Sequence, residues 1–148
     1  MTDFKAIKGF NVKSLAADPK STGIASATWA SGGNVNNLDS ERGGSAGTQT
    51  AGLLFGGKNT ATLAKTEEYN GTSWTEVNDL NQARDSFPSG AGTQIAALAI
   101  GGSISPPTAA NTLVESYDGT NWTEIAEINT AVKYHTSCGI QTAALKMA

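Results

Sequence analysis

Apolar positions along this chain fall into short runs of strand length, separated by glycine and small polar residues, and the runs recur. In the clearest copy, residues 95–100 (Ile-Ala-Ala-Leu-Ala-Ile) are closed by Gly101-Gly102. A continuous apolar run of that length between turn signals predicts a strand buried on both faces. Residues 85–91 predict a strand before it. Beyond a variable loop, residues 113–117 and 121–125 predict two more, flanking Asp118-Gly119. Asp118-Gly119 and its counterpart Asn70-Gly71 predict two-residue type I′ hairpins, since that turn requires positive φ at both central positions. Each unit therefore resolves into four strands, A to D.

The unit repeats at a period of about 45 residues. Gly71-Thr72-Ser73-Trp74-Thr75-Glu76-Val77 returns as Gly119-Thr120-Asn121-Trp122-Thr123-Glu124-Ile125, and a worn copy surrounds Trp29. A second element, Ala46-Gly47-Thr48-Gln49-Thr50-Ala51, returns as Ala91-Gly92-Thr93-Gln94-Ile95-Ala96 and as Cys138-Gly139-Ile140-Gln141-Thr142-Ala143. The double glycine Gly56-Gly57 comes back as Gly101-Gly102. Three elements recurring at one period mark a repeat architecture. Length varies between the double glycine and the next strand, where loops 58–63 and 103–111 fall, the longer one carrying Pro106-Pro107. Insertions confined to one loop are expected where the strands form a fixed stack.

A buried strand ending in Gly-Gly, then a tyrosine, then a tryptophan on the following strand resembles a kelch repeat: Leu53, Gly56-Gly57, Tyr69 and Trp74, then Leu98, Gly101-Gly102, Tyr117 and Trp122. The fuller wording, Gly47-Thr48-Gln49-Thr50-Ala51-x-Leu53 through Glu67-Glu68-Tyr69-Asn70-Gly71-Thr72-x-Trp74-Thr75, is similar to the kelch-like repeats in virion proteins of tailed, notably marine, bacteriophages. The resemblance covers residues 21–148. It implies an all-β, kelch-like β-propeller on a phage particle, with no enzymatic activity and no cofactor.

In this sequence the first unit lacks the turn dipeptide, with Ala25-Ser26 where Asn70-Gly71 stands later, and the last reaches Ala148 where a double glycine would begin. The order is then a C–D pair at residues 21–31, two full blades, and an A–B pair at residues 133–147. That makes about three blade equivalents, and propellers have four to eight. Read as complementary halves rather than as the cut ends of a longer protein, they predict a ring completed by oligomerisation. A dimer of six blades is favoured; a trimer using two blades per chain is the alternative. Residues 1–20 match no repeat. They are expected either to dock on other virion proteins or to add an edge strand.

Composition agrees with short strands and tight turns: 148 residues with 17 Gly and only 16% charged residues. A net charge of −3 without any Lys/Arg cluster argues against a nucleic-acid partner. No apolar stretch approaches a membrane span, and no signal peptide is evident, so synthesis in a host cytoplasm and residence in the virion are expected. Cys138, the single cysteine, occupies an Ala/Gly position of the repeat and is expected to be a small buried packing residue.

No catalytic or metal-binding residues are predicted. His135, the only histidine, stands where the preceding repeat has Pro88. Glu67 and Glu68 are adjacent on one strand and should point to opposite faces, and Asp118 is accounted for by its turn. The tryptophans recur at the blade period, as core residues do. Two roles remain. One is a structural virion component, in capsid decoration or a tail or fibre. The other is a module binding a host-surface glycan or receptor through Lys58, Asn59, Ser103, Pro106, Pro107 and Asn111.

Overall fold

The computed structural model describes residues 31–36, 43–86, 88–104 and 109–147. The chain divides into two compact units, Met1–Ser31 and Gly32–Ala148, and the architecture below is that of the second. The expected docking arm (1–20) and the first C–D pair (21–31) fall on the first unit and lie, but for Ser31, outside the described residues.

Every described element is a strand. β1 (Gly44–Thr48), β2 (Ala51–Phe55), β3 (Thr66–Tyr69) and β4 (Trp74–Val77) form one antiparallel meander in that order. β5 (Ser89–Thr93) and β6 (Ala96–Ile100) come next. A short hairpin, β7 (Ser103–Ile104) with β8 (Ala109–Ala110), follows before β9 (Val114–Tyr117) and β10 (Trp122–Glu124). The order β5-β6-β9-β10 copies the first meander. β11 (Thr136–Ile140) and β12 (Ala143–Met147) form a third two-stranded copy. Register repeats with the sequence: Thr48↔Ala51, Thr93↔Ala96 and Ile140↔Ala143 open the three first hairpins. Tyr69↔Trp74 and Tyr117↔Trp122 open the two last ones.

The first strands β1 and β5 are made of Gly, Ser, Ala and Thr, small residues that let first strands pack against each other: β5 lies against β1 and also against β11. A Cβ on Gly90 would stand 1.9 Å from the carbonyl oxygen of Ser45, so only glycine permits that approach. Second strands are apolar because both faces are covered, and in β6 Ala97, Leu98, Ala99 and Ile100 are all buried. The main core lies between the meanders, where Leu53 and Phe55 of β2 meet Ala97, Ala99, Tyr117 and Trp122. Trp122 meets Phe55 edge-on at 5.1 Å between ring centroids, and its indole N–H donates to the Thr66 hydroxyl at 3.0 Å. Aromatic pairs in this geometry add about 0.5–1.5 kcal/mol beyond area burial. Trp74, at the same repeat position, is only half-buried.

Three sequence expectations change. The Asn-Gly and Asp-Gly turns are four-residue loops, 70–73 and 118–121, not two-residue type I′ hairpins. Asn70 Oδ1 accepts the N–H groups of Thr72 and Ser73, both at 3.0 Å, and Asp118 Oδ1 those of Thr120 and Asn121 at 2.8 and 2.7 Å. Such Asx turns leave positive φ only to Gly71 and Gly119. The two-residue connections occur instead at the glutamine turns Gln49-Thr50, Gln94-Ile95 and Gln141-Thr142. Ile95 is therefore in a turn and exposed. Finally, β5 begins at Ser89 rather than near residue 85, because Asp85 pairs with Ser103 and Ser86 takes a positive φ of 59°.

Candidate functional site

The loops singled out from sequence both leave the double glycine of a second strand. In the first, Lys58 pairs with Thr62, Leu63 N–H donates to Gly57 O at 2.8 Å, and Asn59 Oδ1 accepts the Ala61 N–H at 3.0 Å. In the second, β7 and β8 form the stem, and Asn111 Oδ1 accepts the Leu113 N–H at 2.9 Å. Asp85, in the linker between the meanders, joins the two loops. Its carboxylate lies 3.7 Å from Lys58 Nζ, and its backbone exchanges hydrogen bonds of 2.8 and 2.9 Å with Ser103. Lys58 and Asn59 reach solvent at this rim, whereas Ser103 is fully buried, its hydroxyl without a partner. Asn111 uses its amide oxygen to hold its own loop. Pro106 and Pro107 lie outside the described residues.

Electrostatically, the strongest feature is elsewhere. Arg84 and Glu115 form an ion pair whose side chains are 0% and 1% exposed. The guanidinium also donates to the carbonyls of Gly101, Leu113 and Gln82 at 3.2–3.3 Å. Burial draws the Arg84 pKa below the usual arginine range, with Glu115 opposing it. Glu115 Oε2 accepts the backbone and side-chain amides of Asn81 at 2.7 and 3.1 Å, and Asn81 Nδ2 donates on to Trp122 O at 2.8 Å. One repeat earlier Asn36 clasps Glu67 and Trp74 O in the same way, at 2.8, 3.2 and 2.8 Å. These clasps tie the linker preceding a meander to the edge of the next sheet. A carboxylate whose lone pairs are filled by N–H groups braces the structure around it.

The other candidates for chemistry are similarly engaged. Glu68, on the opposite face of β3 from Glu67, accepts the Tyr117 hydroxyl at 2.9 Å. Burial, and then Glu68, raise that phenol's pKa. Asp118 holds its turn, and the N–H groups of Asn121 and Thr120 pull its carboxyl below the usual range. His135 is half-buried beside Pro88 and Ser137 in a cleft of about 240 Å³. Neither ring nitrogen is hydrogen-bonded, and burial, then Lys146, lower its pKa. Among the described residues, no group of three His, Cys, Asp or Glu could hold a metal ion.

A larger cleft, about 460 Å³, runs between the first strands and is lined by Ala46, Gly47, Gly90, Gly92, Cys138 and their neighbours. Cys138 is exposed, contrary to expectation. Its equivalent Ala91 is buried because β5 has a first strand on either side, while β11 has one only on the β5 side among the described residues.

Sequence reasoning overlooked Arg84 and the two polar side chains that recur at every junction. Gln94 Nε2 donates to Gly52 O and Tyr69 O at 3.1 and 2.8 Å. Gln141 Nε2 does so to Ala97 O and Tyr117 O at 3.4 and 2.6 Å. The signal was present in the fixed place of Gln49, Gln94 and Gln141 within the repeat, and in the 45-residue spacing of Asn36 and Asn81. Invariance of a polar residue across internal repeats marks a contact that each repeat must make. Compared with known proteins, the chain matches no family model and no curated protein is similar to it.

Proposed function

We propose that this chain is a non-enzymatic structural protein of a tailed-phage particle, in capsid decoration or in a tail or fibre, built as a kelch-like β-propeller that more than one copy completes. The observation that carries the propeller is the junction made twice, β1 to β5 and β5 to β11, with the same glutamine staple each time. Propeller blades are four-stranded sheets set around a central channel, and the contacts of β5 with both β1 and β11 support that reading. The virion role rests on the likeness of the repeat wording to phage kelch-like repeats. The carboxylates Glu67, Glu68, Glu115 and Asp118 support a structural role, since each accepts hydrogen bonds that brace a turn or a junction.

An antibody against the purified protein, applied to intact particles of a phage carrying the gene, tests this. Labelling at a fixed position, with a stoichiometric band in purified particles, is the expected result. Protein confined to the infected-cell lysate would overturn it. Replacing residues 105–108 by a Gly/Ser linker then separates the two virion roles. Normal adsorption keeps the structural role, and intact particles that no longer adsorb would make the loop rim a receptor-binding site.

A further inference from the structure

The loop that joins β3 to β4 opens with the one Asn-Gly pair in the chain, and its copy between β9 and β10 opens with the one Asp-Gly pair. The two loops share one geometry. Oδ1 of the leading residue accepts the N–H groups two and three positions on, at 3.0 and 3.0 Å for Asn70 and at 2.8 and 2.7 Å for Asp118. Asn70 N–H donates to Ser73 O and Asp118 N–H to Asn121 O, both at 3.2 Å. The glycine takes a φ of 91° in one and 90° in the other. An amide and a carboxylate thus fill the same place in the same turn.

Asn70 also meets the conditions for losing its amide without an enzyme. Residues 70–73 are all exposed to water. Gly71 has no side chain to shield its backbone nitrogen, and its N–H donates to nothing among the described residues. The Thr72 and Ser73 N–H groups already sit on Oδ1, where negative charge gathers when that nitrogen attacks the side-chain amide. Every other asparagine in the chain precedes a residue that has a side chain.

We infer that Asn70 is a site of spontaneous deamidation whose aspartate product stays in the native turn. The Gly71 nitrogen bonds to Asn70 Cγ and the Cγ–Nδ2 bond breaks. The Gly71 proton, relayed through water, leaves with Nδ2 as ammonia. Water then opens the five-membered succinimide. Breaking its Cγ–N bond restores the main chain, with aspartate at position 70. Opening at the other carbonyl gives isoaspartate, which lengthens the main chain by one carbon. That extra carbon would fall inside a loop whose span is fixed by the Tyr69↔Trp74 pair, with ring centroids 5.0 Å apart. The native turn therefore favours the aspartate opening. The new carboxylate accepts the same two N–H groups more strongly than the amide did. Asp118 displays that preference, its carboxyl held below the usual range by the N–H groups of Asn121 and Thr120. With time the first meander acquires the turn chemistry of the second. None of this depends on the propeller or virion readings.

The experiment is timed incubation of the unaltered 148-residue chain in mildly alkaline buffer, folded and in guanidinium chloride. Peptide mass spectrometry then distinguishes asparagine, aspartate and isoaspartate at each position. In the folded chain, amide loss at residue 70 should run ahead of every other asparagine, by roughly tenfold, because only there is the attacking nitrogen unshielded. The share of aspartate over isoaspartate should be higher in the folded chain than in denaturant. Asn70→Ser, which cannot form the ring, should lose the acidic band that the unaltered chain gains on isoelectric focusing. Amide loss at residue 70 matched by another asparagine, or an aspartate share that folding does not raise, would overturn the inference.

Discussion

The side-chain amide of Gln94, at the tip of the β5–β6 turn, reaches across to the Tyr69 carbonyl on β3 at 2.8 Å while also holding Gly52 on β2 at 3.1 Å. A turn residue of one meander thereby locks the two central strands of its neighbour. Gln141 repeats the contact one unit later. Strand pairing alone would leave the sheets free to slide. The staple fixes their stagger, and it supplies polar direction to an interface otherwise made by apolar packing and close backbone approach.

Gln94→Ala should therefore destabilise the fold by about 1–2 kcal/mol, for two neutral hydrogen bonds lost at a partly buried site. Urea unfolding should show a lower midpoint at unchanged slope. Gln49→Ala, read under the same conditions, should leave the midpoint where it was, because Gln49 is exposed and makes no hydrogen bond among the described residues. Equal losses in both variants would mean that the staple is not what Gln94 contributes.

Arg84 and Glu115 set the largest single electrostatic risk in the fold. Arg84→Met leaves the Glu115 carboxylate charged and buried, held only by the amides of Asn81 and Gln82. Breaking a buried pair in this way costs about 3–5 kcal/mol. Adding Glu115→Gln removes the stranded charge while keeping an acceptor for Asn81, and should recover half or more of the loss. A double-mutant cycle on unfolding free energies measures this coupling. Additive losses would show that the two side chains act independently.

The repeat period, the four strands per unit and their antiparallel order were legible in the sequence. Each depends on local pattern: a run of apolar residues, a double glycine, a turn dipeptide. What escaped the sequence is contact between repeats. Phe55 meets Trp122 across 67 positions of chain, and Arg84 meets Glu115 across 31. Neither local periodicity nor residue type announces such pairs. The turn error has a chemical cause, since Asn and Asp suit an αL position and an Asx turn equally well, and the hydrogen bonds decide between them. Cys138 was misjudged because its repeat position is buried only where a first strand flanks it on both sides. Of the rim residues, Lys58 and Asn59 are half-buried, whereas Ser103 is fully buried in the stem of its loop.

Glycines in the repeat are of two kinds, and substitution separates them. Gly92 has φ of 110°, and a Cβ there would lie 2.1 Å from the Ala96 carbonyl oxygen. Gly92→Ala should lower stability by more than ~2 kcal/mol, through positive φ and the backbone clash together. At Gly52 the nearest atoms to a new Cβ are 3.6 Å away and φ is ordinary. Gly52→Ala should fall within about 1 kcal/mol of the unaltered protein, helped by the lower entropy of the unfolded chain. Thermal melts of the two variants settle the contrast. A well-tolerated Gly92→Ala would mean that the β5–β6 turn can adopt another geometry.

Acid stability should differ between the two meanders, because the same turn is closed by Asn70 in one and Asp118 in the other. The Asp118 carboxylate accepts backbone N–H groups from Asn121 and Thr120, and these hold its pKa below the ordinary aspartate value of 3.8. A carboxyl with a depressed folded-state pKa binds fewer protons folded than unfolded, so its contribution is complete above the unfolded pKa. It is lost as the pH falls from near 3.8 through the lower folded-state value. Asn70 makes the same two hydrogen bonds without a titratable group. Asp118→Asn should therefore be slightly less stable than the unaltered protein at pH 7, with the gap closing below pH 3.8. Asn70→Asp should install the same acid-sensitive increment in the first meander. Melting temperatures followed from pH 7 down to the acid limit measure both. Parallel curves for Asp118→Asn and the unaltered protein across that range would show that the turn does not depend on the charge of its closing side chain.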